Sequence, residues 1–362
     1  MTTLTEQRID YDIGSRIALA RKWRRLSLRQ LAKKTGLSHT AINNYETNKR
    51  TPDSQTLITM AEALGVSLDF FFRATTQSNL QPAYRKRASL TKANEAAVLA
   101  EITDWLERYE TVLSLLPPEE VVHFKYPANF PYPVSVFEDA ETAALNLREA
   151  WAMGHNAIGN LTELLEEKGI KVALVDSDLK FDACTFTTPN QVPLIASNMR
   201  VSGDRQRFSL AHELGHIMLS PQGNAASIEK MANRFARALL VTADMAHYEL
   251  GYQRDWLDKD ELLSLKHKYG ISVAAWIYRA YDLQIISEST LTQLMTWLST
   301  NGWRKTEPGP QLSAEQPQRL NRLVWRLLAE DIISEARAAE LLNLTLDDYV
   351  AARAQNYATT AV

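Results

Sequence analysis

At 362 residues the chain exceeds what one core usually holds, and its 45% hydrophobic and 23% charged residues are ordinary for a globular protein in water. No stretch approaches the roughly 18 apolar residues that span a bilayer, so no membrane partner is expected; the lone Cys184 excludes an internal disulfide, and MTTLTEQRIDYDIG lacks the basic and apolar run of an export signal, which makes the cytoplasm the expected compartment. The net charge of −3 conceals an asymmetry: residues 1–74 hold 12 Lys+Arg against 7 Asp+Glu, a balance of +5 that leaves −8 for the rest and suggests a polyanion partner at that end alone. Helical periodicity runs over 14–72 in pieces of about ten residues separated by Gly36, by Asn48 with Pro52, and by Gly65, predicting a bundle of about five helices. A longer helix is predicted over 90–116, where Val98, Ile102, Trp105, Tyr109, Val112 and Leu116 form a seam that serves either the protein's own core or a homodimer contact. Pro117–Pro133 holds five prolines in seventeen residues and reads as a linker opening a second domain. Helices are predicted over 138–153 and 158–168, then strands at Lys171–Val175, Cys184–Thr187 and Val192–Asn198. Helices dominate from Arg205 onward, with a break through Asn301–Leu312. After it Leu320, Leu323, Val324 and Leu327 share a face, and Ser334 is placed to cap a helix over Glu335–Leu342.

The run RFSLAHELGHIML places His212 and His216 four residues apart in an apolar helical context. On a helix of about 3.6 residues per turn they share one face, so both imidazoles can reach one ion. Neutral imidazole suits Zn²⁺, and Glu213 stands beside the metal, where it could take a proton from water. A third ligand is supplied by Glu229 in IEKMANRFARALL, with Asn233 one turn later to orient the ligands.

These residues resemble the ImmA/IrrE family of zinc metallopeptidases: Arg207 to His216, Ile228 to Ala236, Tyr269 to Val273 with Tyr278-Arg279, and upstream Leu147 to Trp151 and Glu166 to Val172. The resemblance covers about residues 138–290. It implies a thermolysin-like core with His212, His216 and Glu229 as ligands, Glu213 as base, and a strand near Ile195–Met199 holding the substrate backbone. Met231 departs from the second acid many members carry, which removes a rival to Glu229. For an oxyanion donor, His247, Tyr248, Tyr252 and His267 are all suitable by type.

In the first domain Leu28 to Ala32 forms a helix, Gly36 a turn, and Ser38 caps a second helix, His39 to Glu46, which is helix-turn-helix spacing. Ala32, Leu37 and Ile42 would pack the pair, leaving His39, Thr40, Asn43 and Asn44 outward for base edges, with Arg29, Lys33, Lys49 and Arg50 placed for phosphates. Residues 14–72 resemble the Xre/lambda-repressor-like family through Ser27 to Ala32, Gly36-Leu37-Ser38, Ile42, Tyr45-Glu46, Pro52 and Leu64 to Ser67. Leu28 stands where many members carry a phosphate-contacting Gln, and Asn48 replaces a usual Gly.

The expected fold is mainly α with a small β-sheet: a helix-turn-helix bundle over 1–74, a helical and Pro-rich linker over 75–137, an α+β thermolysin-like domain over 138–300 and a C-terminal helical bundle over 301–362. The expected protein is a DNA-binding zinc metalloprotease. The resemblance implies a repressor or antitoxin as substrate, in a stress, DNA-damage or phage response. The alternative is a transcriptional regulator that uses the peptidase-like domain as a non-catalytic sensor or dimerisation module.

Overall fold

A computed structural model describes residues 12–73, 80–82, 91–178, 181–304 and 306–359. Most of the segment expected to lack an export signal, the first residue of the helix expected from 90, and most of the linker expected before it lie outside these residues.

In chain order the first elements are α1 (Ile13–Trp23), α2 (Leu28–Thr35), α3 (His39–Glu46), α4 (Ser54–Leu64), a 3-10 turn at Leu68–Phe72, β1 (Gln81–Pro82) and α5 (Lys92–Ser114). A second 3-10 turn at Pro118–Glu120 precedes β2 (Tyr132–Val134), α6 (Phe137–Ala150), α7 (Leu161–Glu167), β3 (Lys171–Val175), β4 (Ala183–Thr187) and β5 (Pro193–Asn198). Then come α8 (Gly203–Met218), β6 (Leu219–Pro221), α9 (Ala225–Leu240), α10 (Ala243–Leu250), α11 (Lys259–Tyr269), α12 (Val273–Asp282) and α13 (Glu288–Thr300). The last are α14 (Arg319–Ala329), α15 (Glu335–Leu342) and α16 (Leu346–Thr359). No helix among the described residues is long and apolar enough to cross a membrane.

These elements form two compact units. Among described residues the first holds 12–73, Leu80, 91–116 and 327–359, and the second holds 81–82, 117–178, 181–304 and 306–326. The first unit begins as an all-α bundle around Ile17, Leu31, Ile42, Met60, Leu64 and Phe71. Asn48, which stands where Gly is usual, takes the left-handed conformation that Asn tolerates, at φ 55°. In α5 the seam residues Val98, Ile102, Tyr109 and Val112 are buried, and the helix packs on α1 and α15 of its own unit. Arg16, fully buried, pairs with Glu107 at 2.5 Å, and Arg108 donates to the Leu341 carbonyl at 2.8 Å. The buried part of the seam therefore serves the chain's own core, while Trp105 is half-buried.

The second unit is α+β. Its main sheet has the order β1-β4-β5-β3, with β5 parallel to β3 and antiparallel to β4, and β4 antiparallel to β1; a separate ladder pairs β2 with β6 in parallel. Helices α8 and α9 pack on each other, burying Leu210, Leu214, Phe235, Ala236 and Leu239 in a core that also takes Val172, Ile195 and Trp276. The Pro-rich stretch belongs to this core, since Phe124, Phe130 and Tyr132 lie against it.

Residues 301–304 and 306–318, expected to open the C-terminal bundle, are a non-helical strap on the second unit. The Gly203 N–H donates to the Leu312 carbonyl at 2.7 Å, and the Gln206 side chain bonds both the N–H and the carbonyl of Glu315, at 2.6 and 2.9 Å. The Glu315 carboxylate accepts from the first N–H groups of α7, Leu161 and Thr162, at 3.1 and 2.7 Å. Lys266, fully buried, closes the strap through Glu307 at 2.8 Å and Asp204 at 3.3 Å.

Candidate metal centre and nucleic-acid interface

In α8 the four-residue spacing puts both imidazoles on one face, and the two Nε2 atoms lie 3.0 Å apart. Helix α9 brings the third group: Glu229 Oε2 is 3.4 Å from His212 Nε2, and Oε1 is 3.4 Å from His216 Nε2. Gly215 makes this approach possible, because a Cβ there would sit 3.0 Å from the Phe235 ring and 3.4 Å from Ala232 Cα on α9. An ion network fixes the other side of α9. Arg234 pairs with Glu141 of α6 at 3.0 Å and with Asp282 of α12 at 3.1 Å, and the buried Arg279 of α12 also grips Glu141. Burial pushes the Glu141 carboxyl up, but the Arg279 and Arg234 guanidinium groups outweigh it and hold it below the ordinary carboxylate value.

Asn233 accepts from His212 Nδ1 at 2.9 Å. With the proton on Nδ1, the Nε2 lone pair faces Glu229 and His216, the orientation a metal ligand needs. When an imidazole instead carries its proton on Nε2, the bonds from His212 and His216 hold the Glu229 carboxyl well below the usual carboxylate range. Tetrahedral Zn²⁺ with bonds of about 2.0–2.1 Å sets its ligand atoms roughly 3.3–3.4 Å apart. Separations of 3.0, 3.4 and 3.4 Å among the two Nε2 atoms and the carboxylate oxygens, with buried imidazoles and a half-buried carboxylate, fit that requirement.

Glu213 is half-buried and turns toward β4, where its Oε2 accepts from both the backbone N–H and the hydroxyl of Thr185, each at 2.8 Å. Sequence reasoning missed Thr185, and nothing local to that threonine marks it. The strand expected near Ile195–Met199 to hold a substrate is corrected: β5 is bonded on both sides, by β3 and β4, so the strand beside Glu213 is β4. Of the four suggested oxyanion donors, Tyr248 and Tyr252 are about four-fifths exposed, at 78% and 80%. His247 stacks on Tyr252 at 4.6 Å, and His267 is exposed on α11. Nothing in these contacts singles one out.

In the first unit Ser27 begins α2 with a reciprocal capping box: its hydroxyl accepts from the Gln30 N–H at 3.2 Å while its own N–H donates to Gln30 Oε1 at 2.7 Å. Gly36 ends α2 in the left-handed conformation, at φ 72°, which turns the chain sharply before Ser38 caps α3. Ile42 is fully buried and Ala32 and Leu37 pack on the same core, as the spacing predicts. Arg29, Lys33, His39, Thr40, Asn43, Lys49 and Arg50 are exposed. Asn44 is half-buried, and its carbonyl accepts from the N–H groups of Lys49 and Arg50 at 2.9 and 3.2 Å, fixing the turn that carries those two cations.

Known families match both regions. A helix-turn-helix family model matches residues 17–71, and a model of the IrrE N-terminal-like domain matches residues 165–281, the span that holds His212, Glu213, His216 and Glu229. No curated protein matches the chain. The chain is therefore a regulator that fuses a DNA-binding helix-turn-helix domain to a peptidase-family domain of the IrrE N-terminal-like kind.

Proposed function

We propose that this protein is a DNA-binding zinc metalloendopeptidase that cleaves a transcriptional repressor or antitoxin-like partner, in a stress, DNA-damage or phage response. The observation that carries the peptidase reading is the convergence of His212 Nε2, His216 Nε2 and the Glu229 carboxylate, with Glu213 as the next residue on the same helix. His212, His216 and Glu229 would hold Zn²⁺, and Asn233 would fix the His212 tautomer. Bound there, the metal would supply Lewis acidity, polarising the scissile carbonyl and lowering the pKa of water. Glu213 accepts the proton of the attacking water and delivers it to the leaving amine. In the first domain His39, Thr40, Asn43 and Asn44 face base edges and Arg29, Lys33, Lys49 and Arg50 face phosphates of double-stranded DNA.

The test has two readouts. Metal content is measured on purified wild type, His212→Ala and Glu213→Gln, and each is incubated with a peptide library from a digested whole-cell proteome, with new termini read by mass spectrometry. About one zinc in wild type and Glu213→Gln, none in His212→Ala, and cutting by wild type alone supports the reading. Zinc without cutting by wild type turns the assignment toward a non-catalytic sensor, and absence of zinc from wild type removes the metal centre.

A further inference from the structure

The outward edge of β4 meets two different partners. Thr187 and Phe186 pair with Gln81 and Pro82 of β1. At Thr185 the backbone N–H is directed instead to Glu213, and the hydroxyl goes to the same carboxylate oxygen, both at 2.8 Å. Thr185 is 3% exposed, so water does not stand in for either donor. The terminal torsion of a glutamate is broad, and an unheld carboxylate rotates freely about it. Two donors converging on Oε2, one of them from a strand hydrogen-bonded to β5, fix the plane of the group and leave Oε1 as the oxygen that can receive a proton.

Resting on the reading of Glu213 as the base, we infer that Thr185 is a positioning residue for proton transfer, pinning one oxygen of Glu213 so that the other is presented to water. The backbone half of this hold survives any side chain; the hydroxyl half requires Thr or Ser. Valine keeps the branched shape in the buried position while removing only the hydroxyl, and serine keeps the hydroxyl while losing the methyl.

The variants Thr185→Val, Thr185→Ser and Glu213→Gln are loaded with zinc and assayed on the library peptide that wild type cuts fastest. Thr185→Val is expected to lose about tenfold in kcat with KM nearly unchanged and zinc content equal, and Thr185→Ser to recover most of the loss. In parallel, hydrogen exchange of the Thr185 amide, read by NMR, is expected to speed up at least about tenfold in Glu213→Ala, because its acceptor has gone. Wild-type kcat in Thr185→Val, a loss confined to KM, failure of serine to restore kcat, or unchanged amide exchange overturns the inference. If Glu213→Gln is dead in the same assay, such a result leaves the base reading of Glu213 standing. If Glu213→Gln cuts as fast as wild type, the base reading itself falls.

Discussion

Helices α3 and α8 carry the two proposed sites, and they are built by opposite rules. Helix α3 is assembled from its neighbours in sequence: Ser38 caps it, the Ser27 box and Gly36 aim it, and most of the proposed DNA-facing side chains stand exposed. Helix α8 has no side-chain cap at Ser202; its first N–H is taken by Leu312, about a hundred residues later in the chain, and the proposed metal and proton-transfer groups on it are met by Glu229 and Asn233 on α9 and Thr185 on β4. A surface that reads a large polyanion needs only a rigid helix and outward donors. A site that holds an ion and moves a proton needs groups fixed to fractions of an ångström, which one helix cannot supply.

The largest effect that should separate the two sites is Glu213→Gln. Loss of a general base costs typically 10²–10⁴-fold in rate, so cleavage of the fastest library peptide should fall by about that factor. Zinc content and DNA affinity should stay at wild-type levels, since the substitution changes neither the proposed ligands nor any residue of α3. A parallel loss of DNA binding would mean that the sites are not separable in this way.

Next in size is Gly215→Ala, which attacks the approach of α8 to α9. The added methyl would press on the fully buried Phe235 ring and on the α9 backbone. Overpacking of this kind costs about 1–3 kcal/mol. A lower melting temperature of the second unit is expected together with weaker zinc binding, measured by competition with a chromophoric chelator. Unchanged zinc affinity would show that α9 can give way without moving Glu229.

How far the sequence reaches follows from the same contrast. The face shared by His212 and His216, the cap at Ser38, the turn at Gly36 and the three longest strands are consequences of short-range spacing, and all are visible in the chain. Glu229 and Asn233 are visible because α9 repeats the helical period. Thr185 is not, because a hydroxyl and an N–H on a strand 28 residues before Glu213 acquire meaning only when β4 is laid beside α8. Strands β2 and β6 are three residues each, one in a Pro-rich stretch and one directly after a helix, so neither shows alternation. Asn301–Leu312 is legible as a break in helix, but 313–318 reads as helical; that Gln206 and Glu315 zip this strap to the second unit is not legible either, since the partners are 109 residues apart.

The exposed site predicts smaller and more selective losses. Asn43→Ala should cost about 1–3 kcal/mol against the preferred operator and relax preference at one base position, measured by a binding-site selection followed by titration. Lys33→Ala should weaken all duplexes alike and reduce the salt slope by about one. If both variants weakened every sequence equally, α3 would be holding the backbone and some other surface would be reading bases.

The smallest effect sharpens the comparison most directly, because it tests local assembly itself. Ser27→Ala removes the hydroxyl that accepts from the Gln30 N–H and opens the capping box at the start of α2. Loss of such a cap costs about 1 kcal/mol. The residue is exposed and lies outside the bundle core, so the cost should appear as a lower melting temperature of the helix-turn-helix domain, with cleavage and zinc content unaffected. Restoration by Ser27→Asp, whose carboxylate can accept the same N–H and complements the positive end of the helix, would assign the loss to the cap. A loss that aspartate fails to restore would place the role of Ser27 elsewhere and leave the orientation of α2 to the burial of Leu31, which is fully buried, and to the packing of α2 on α3 and α4.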